Sequence, residues 1–186
     1  MKTIEHANRE KTQSMIRSTV GVFMKHFPEG KVVDLGTRTG YAVELLSKAG
    51  YDAIGVEINP YYVDYAQEQG LPVIVDNILN SRLPDDTFDL IYSRHVLEHC
   101  ADTVKFFETC ERILKLSGSV FVTFPTQKAE TFKAKPKDHK VFYETIDDFK
   151  KVLKKVNFSI THLDYSEKSG ILPLKREILF IGKVKK

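Results

Sequence analysis

Apolar residues recur along the chain in two kinds of pattern. Ile16, Val20, Phe23, Met24 and Phe27 are spaced as on one buried face of a helix. Pro28-Glu29-Gly30 then breaks that spacing. Short apolar runs without alternation follow: Lys31-Val32-Val33-Asp34-Leu35, Ala53-Ile54-Gly55-Val56-Glu57 and Val73-Ile74-Val75-Asp76, then residues 88–93 and 119–124. Continuous apolar character suits strands buried on both faces. Helical stretches with clear end signals lie between them. Ala42, Leu45, Leu46 and Ala49 mark one face ahead of Gly50, which suits a helix C-cap. Asn59-Pro60 supplies an N-cap and a proline at the first helical position, with Gly70 at the far end. Asp102 caps a helix whose inner face carries Val104, Phe107, Ile113 and Leu114. Gly118 then precedes the fifth strand, which Pro125 stops. Strand and helix alternate as in a parallel, doubly wound α/β sheet.

The last third of the chain differs. Residues 126–144 are polar and Lys-rich, a candidate lid loop. Thr145-Ile146-Asp147-Asp148 has the form of a capping box, opening a helix expected to run through Val156. Two further strands are expected over 158–165 and 177–184. With only a turn-rich stretch around Ser169-Gly170 and Pro173 between them, they should pair antiparallel. No boundary is visible, so residues 1–186 are expected to form one domain, with 1–29 as an N-terminal helical segment.

Composition narrows the class. The 186 residues are 42% hydrophobic and 28% charged, an ordinary globular balance. Lys and Arg number 28 against 25 Asp and Glu, a net charge of +3, so bulk charge argues for neither nucleic acid nor a membrane. No apolar run approaches the roughly 20 residues of a membrane helix, and the first residues lack the apolar stretch of a signal peptide. Cys100 and Cys110 are the two cysteines. Ten residues of helix would hold them about 15 Å apart, beyond disulfide reach. Free thiols and no export signal imply the cytoplasm.

The turn after the first strand carries chemistry. Asp34-Leu35-Gly36-Thr37-Arg38-Thr39-Gly40 turns tightly and offers helix N–H groups to an anionic ligand. A dinucleotide fingerprint needs glycine at 36, 38 and 41, and Arg38 and Tyr41 break it. Glu57 and Asp76 end the next two strands. Any one of these carboxylates alone is more often a strand-end cap. Three at successive strand ends mark the edge where open α/β sheets bind ligands, and a carboxylate at position 57 can accept both hydroxyls of a ribose.

The Asp-x-Gly-x-x-x-Gly spacing resembles the first motif of class I S-adenosylmethionine-dependent methyltransferases. The resemblance runs in order from about residue 30 to 184. It includes Ser93-Arg94-His95-Val96-Leu97-Glu98-His99, then Arg112-Ile113-Leu114-Lys115-Leu116-Ser117-Gly118-Ser119, and His139 ahead of Phe142-Tyr143. It implies a Rossmann-like seven-stranded sheet of order 3-2-1-4-5-7-6 with strand 7 antiparallel, and S-adenosyl-L-methionine as cofactor. Asp34, Leu35, Gly36, Thr37, Gly40 and Tyr41 would form the cofactor loop, and Glu57 would hold the ribose. Asp76 and Asn77 would meet the adenine amino group between Ile58 and Ile78, and Ser93, Arg94 and His95 would border the methionine end. The family usually has Gly-x-Gly-x-Gly, so Arg38 is a departure. Where that position needs φ > 0 the arginine costs about 1–2 kcal/mol; otherwise its guanidinium points to solvent or to the cofactor carboxylate.

The resemblance implies methyl transfer, and the acceptor is partly constrained. Amino methyltransferases of adenine and cytosine carry Asn/Asp-Pro-Pro-Tyr/Phe after the fourth strand, where this chain has Ser93-Arg94-His95-Val96. No Pro-Cys pair supplies the nucleophile of a cytosine-C5 mechanism. Lys128, Lys133, Lys135, Lys137 and Lys140 lack interleaved aromatic residues, so a solvated loop is favoured over RNA contact. A small-molecule acceptor is expected. The alternatives are a non-catalytic cofactor-binding module and an RNA methyltransferase. His99 and His139 are the candidate bases. A helix after Ser93 would put His95, Glu98 and His99 on one face, which with His139 resembles the metal site of some O-methyltransferases. Structural hydrogen bonding is the favoured role there, and no metal is expected.

Overall fold

The computed structural model, which describes residues 10–126, 139–141, 143–165 and 177–185, arranges seven strands in one sheet of order β3-β2-β1-β4-β5-β7-β6. The strands are β1 (Lys31–Leu35), β2 (Asp52–Glu57), β3 (Val73–Val75), β4 (Phe88–Arg94), β5 (Leu114–Pro125), β6 (Phe158–Tyr165) and β7 (Glu177–Val184). β1 to β5 run parallel, and β7 lies antiparallel between β5 and β6. The helices are α1 (Glu10–His26), α2 (Tyr41–Lys48), α3 (Pro60–Glu68), α4 (Thr103–Ile113) and α5 (Ile146–Leu153).

Both faces of the sheet are covered, which is why its strands read as unbroken apolar runs. Val20 and Phe23 of α1 and Val43 and Leu46 of α2 pack on Tyr92, Phe121, Leu179 and Ile181. On the other face Phe106, Phe107 and Ile113 of α4 and Phe149 of α5 meet Val33, Ile91, Val122 and Phe180. Phe23 is fully buried, edge-on to Tyr92 and Phe121 at 5.5 Å.

The end signals act as expected. The Asn59 side chain accepts from Tyr61 N, and that of Asp102 from Lys105 N at 2.9 Å. Thr145 and Asp148 make both bonds of a capping box. α5 stops at Leu153, short of Val156, although Val156 is itself buried. The fifth strand needs a larger correction. β5 starts at Leu114 directly after α4, and Leu114 pairs with Phe88 before a register shift resumes the ladder at Leu90 and Ser119. Gly118 therefore lies inside the strand, where a Cβ would come 2.9 Å from Lys115 O. Ser117 beside it has φ 68°. Cys100 precedes α4 and Cys110 lies within it, both buried and free. No helix among the described residues is long and apolar enough to cross a membrane. Lys128, Lys133, Lys135, Lys137, Ser169, Gly170 and Pro173, with most of the expected lid, fall outside the described residues.

Candidate active site

The C-terminal ends of β1, β2 and β3 place the three carboxylates along one edge. Asp34 is buried in β1, and burial pushes its carboxyl from 3.8 up to about 7. Glu57 is also buried, and its two oxygens accept from Arg38 N and Asn59 N, each at 3.0 Å. Each oxygen keeps a lone pair, so the carboxylate braces the glycine loop and can still receive a diol. Asp76 N donates to Glu57 O at 3.0 Å. The Asp76 carboxylate accepts from Asn77 N at 2.9 Å, Ser81 Oγ at 2.7 Å and Arg82 N at 2.9 Å. Burial pushes that group up, but these bonds and the Arg82 charge outweigh it and hold it below the usual carboxylate range. It caps its own turn and retains acceptor capacity at Oδ1.

The loop between β1 and α2 is tight for a steric reason. Gly36 has φ 81°, and a Cβ there would lie 2.3 Å from Val96 Cγ2. Gly40 has φ 78°, and its Cβ would come 2.8 Å from Leu71 Cδ1. Arg38 has φ 53°, so the position does require the left-handed region. Its guanidinium lies over the Tyr62 ring, 5.5 Å from the centroid, with Nη2 3.4 Å from the hydroxyl. The side chain therefore engages α3.

Directly after β4, residues 95–99 form no α-helix. His95 takes φ 56°, with its N–H on Thr123 O at 2.8 Å, and Leu97–His99 is a single 3-10 turn. The turn still gathers the expected side chains. His95 Nδ1 lies 3.7 Å from Glu98 Oε1, and the rings of His99 and His139 meet edge-on at 4.8 Å between centroids. Lys140 N donates to Glu98 O at 2.7 Å, which brings His139 back to this turn. Glu98, His99 and His139 offer polar atoms within 4.8 Å of one another. Burial pulls His95 below the ordinary histidine range, ahead of the opposing hydrogen bond with Glu177.

A cavity of about 420 Å³ joins Asp34 and the glycine loop to the turn after β4, while Glu57 and Asp76 stand outside its lining. Asp34, Gly36, Thr37 and Arg38 line one end, and Arg94, His95, Glu98, His99 and His139 the other. Thr12, Met15 and Ile16 of α1 roof it, and Ala42, Tyr92 and Pro125 also line it. Sequence reasoning missed these six, because the periodicity of α1 marks a buried face without saying what that face covers. Other expected residues stand elsewhere. The Tyr41 hydroxyl accepts from Arg17 Nη1 at 2.7 Å and borders a separate groove with Glu44 and Lys48. Ile58 is 63% exposed beyond Glu57, Ile78 packs against the core, and the Asn77 side chain accepts from Leu79 N. Ser93 is fully buried and donates to Leu35 O at 3.2 Å, tying β4 to β1.

Fold and edge together define an α/β protein built for an adenosine-bearing ligand. The profile of the family described as Methyltransferase domain matches residues 33–122. The ubiquinone biosynthesis O-methyltransferase of Methylococcus capsulatus is 33% identical over 98 residues, 49% of this chain and 41% of that protein. The phosphoethanolamine N-methyltransferase of Plasmodium falciparum is 30% identical over 141 residues, 69% of this chain and 53% of that protein. The matches thus span about half the length of these curated relatives. Among solved structures, a SAM-dependent methyltransferase from Aquifex aeolicus superposes with TM-score 0.77 at 17% identity, covering 98% of this chain and 97% of that one. The PH0226 protein from Pyrococcus horikoshii gives 0.79 at 19%, covering 96% and 93%. Residues 33–122 thus match the methyltransferase-domain family, and the relatives and solved structures that the chain resembles include S-adenosylmethionine-dependent methyltransferases. The residues present fit that cofactor. Glu57 has acceptor capacity for the ribose, and Asp34 and Thr37 line the cavity at the glycine loop.

Proposed function

We propose that this protein transfers the methyl group of S-adenosylmethionine to a small-molecule acceptor seated beside His99 and His139. The observation that best supports this is a single cavity running from the glycine loop to the two imidazoles. Its volume, about 420 Å³, falls in the roughly 300–1,000 Å³ range of small-ligand sites. Relatives named for ubiquinone biosynthesis and for phosphoethanolamine favour small acceptors as well. The bound cofactor supplies a methyl group already activated by its sulfonium. Alignment, exclusion of water and the handling of one proton fall to the chain. Glu57 holds the ribose hydroxyls, Asp76 Oδ1 receives the adenine amino group, and Asp34 faces the cationic amino-acid end. Thr12, Met15 and Ile16 roof the site against water. His99 or His139 takes the proton that an acceptor O–H or N–H gives up on methylation.

Calorimetry with S-adenosylhomocysteine and with NAD(H) tests the cofactor half, and only the former should bind. Turnover of labelled cofactor with catechols, phosphoethanolamine and total RNA tests the acceptor half. Turnover on RNA alone would overturn the small-molecule reading. Absence of turnover on any metabolite, with partner proteins co-purifying, would favour a binding module. Substituting His99 or His139 by alanine should lower kcat/KM by about 10²–10⁴ for whichever is the base. Full activity in both variants would leave alignment as the whole of catalysis. Chelation of metals is expected to leave turnover intact.

A further inference from the structure

β7 opens on a carboxylate that the mechanism above does not use. Glu177 is 1% exposed and pairs across the ladder with Pro125, which lines the cavity. A carboxylate buried this deeply persists only when charge and hydrogen bonds compensate its lost hydration. His95 Nε2 is hydrogen-bonded to Glu177 Oε1 across 82 residues of sequence. Arg94 Nη2 lies 3.6 Å from the same oxygen. Oε2 of Glu177 is buried with no hydrogen-bond partner among the described residues.

The histidine at the other end of this bond is itself unusual. His95 occupies the left-handed region at φ 56°, a conformation that sterics disfavour for any residue with a Cβ. Its N–H is nonetheless held by Thr123 O at 2.8 Å, so the strain sits in a well-anchored backbone. Backbone strain of this kind clusters at functional sites, where the surrounding structure over-determines it. The imidazole is a quarter exposed, and the surface it shows lines the cavity at the acceptor end.

We propose that Glu177 is a positioning residue of the acceptor site, holding His95 as the Nε2–H tautomer with its ring fixed against the methyl acceptor. This rests on the methyltransferase reading of the same cavity. A carboxylate can only accept, so Nε2 carries the proton and the lone pair of the neutral ring stays at Nδ1. Nδ1 faces Glu98 Oε1 at 3.7 Å. Two acceptors opposite one another favour an acceptor molecule that brings a hydrogen-bond donor, a hydroxyl or an amine. A thiolate or carboxylate nucleophile would find no such welcome. The ring is locked from a strand that lies far along the chain, so correct closure of the sheet at β7 is required for the site to form.

Nitrogen-15 NMR of histidine-labelled protein, saturated with S-adenosylhomocysteine, tests the assignment. The wild type should show His95 as a single Nε2–H tautomer. Glu177→Gln, whose amide oxygen can still accept, should retain it, and Glu177→Ala should lose it to a tautomer mixture. Both variants should still bind S-adenosylhomocysteine, which a merely structural defect would not allow. An Nδ1–H or averaged His95 in the wild type overturns the proposal even where Glu177→Ala fails to fold. So does an unaltered tautomer in Glu177→Ala. Failure of the wild type to bind S-adenosylhomocysteine would instead count against the methyltransferase reading and leave the tautomer result standing.

Discussion

Asp34 carries a conflict between stability and binding in one side chain. Burial raises its carboxyl to about 7 from 3.8, so the fold disfavours the charged form. The sign follows from linkage. A group raised in the folded state contributes stability that is full below 3.8 and is lost as pH climbs through about 7. Asp34→Asn removes that loss, so the variant should melt higher than wild type at pH 8 and show no advantage at pH 4. On the proposed function, the same substitution removes the charge that would face the cofactor's ammonium. Its affinity for S-adenosylhomocysteine should fall by about 1.5–3 kcal/mol, the scale of a hydrogen bond to a charged group. Wild-type affinity should rise between pH 6 and 8 and that of Asp34→Asn should not, which calorimetry at several pH values would read. Glu57→Ala should weaken S-adenosylhomocysteine by a similar 1.5–3 kcal/mol, or about 10- to 150-fold, through loss of the ribose acceptor. Unaltered affinity would remove Glu57 from the ribose site. These carboxylates were legible in the sequence because each ends an apolar run, and strand ends are where this architecture exposes ligand-facing groups. Arg38 was legible only as a departure. Its conformation became fixed by a contact with Tyr62 of α3 that no local pattern records.

At the level of elements, the glycine loop and the turn after β4 behave as one unit. Val96 fills the space that any side chain at position 36 would need. Gly36→Ala therefore carries both positive-φ strain and overpacking, each about 1–3 kcal/mol. Val96→Ala in the same chain should restore much of the overpacking part, and a double-mutant cycle by urea unfolding would show coupling between the two. Additive losses would place Val96 outside the loop's packing. The strands and helices were legible wherever caps or two-sided burial mark them, as at Asn59-Pro60 and Thr145-Asp148. The start of β5 was not. Leu114 continues the inner-face spacing of α4 with no glycine or proline to break it, and only its pairing with Phe88 decides that the chain is already extended. The stretch after Ser93 failed as a helix for a similar reason. The left-handed turn at His95 is held by Thr123 on the neighbouring strand, not by any residue near it in sequence.

Across the whole molecule, ligand binding and folding are linked. S-adenosylhomocysteine at a hundredfold its Kd should add about 2.7 kcal/mol to stability. For a domain of 150–250 residues each kcal/mol moves Tm by about 2–4 °C, so scanning fluorimetry should show a rise of about 5–10 °C. NAD(H) should give none. The site's roof and one of its buried charges were illegible at this scale. Met15 and Ile16, which line the cavity, lie before the first strand, and Glu177, which reaches it through His95, opens the seventh, so their convergence depends on strand order.

The interior place of β7 has a further consequence, for the order of events during synthesis. β7 follows the other six strands along the chain, yet it bonds to β5 through seven residue pairs and separates that strand from β6. While the polypeptide is still emerging from the ribosome, β5 carries an unpaired edge beside the apolar residues Val120, Phe121 and Val122. Such an edge is a template for pairing with another chain. It stays open until residues 177–184 have left the exit tunnel. Nascent chains stalled before residue 177 should therefore be captured by chaperones and cleaved readily by protease, and those stalled on an appended linker that carries residue 184 clear of the tunnel should resist both.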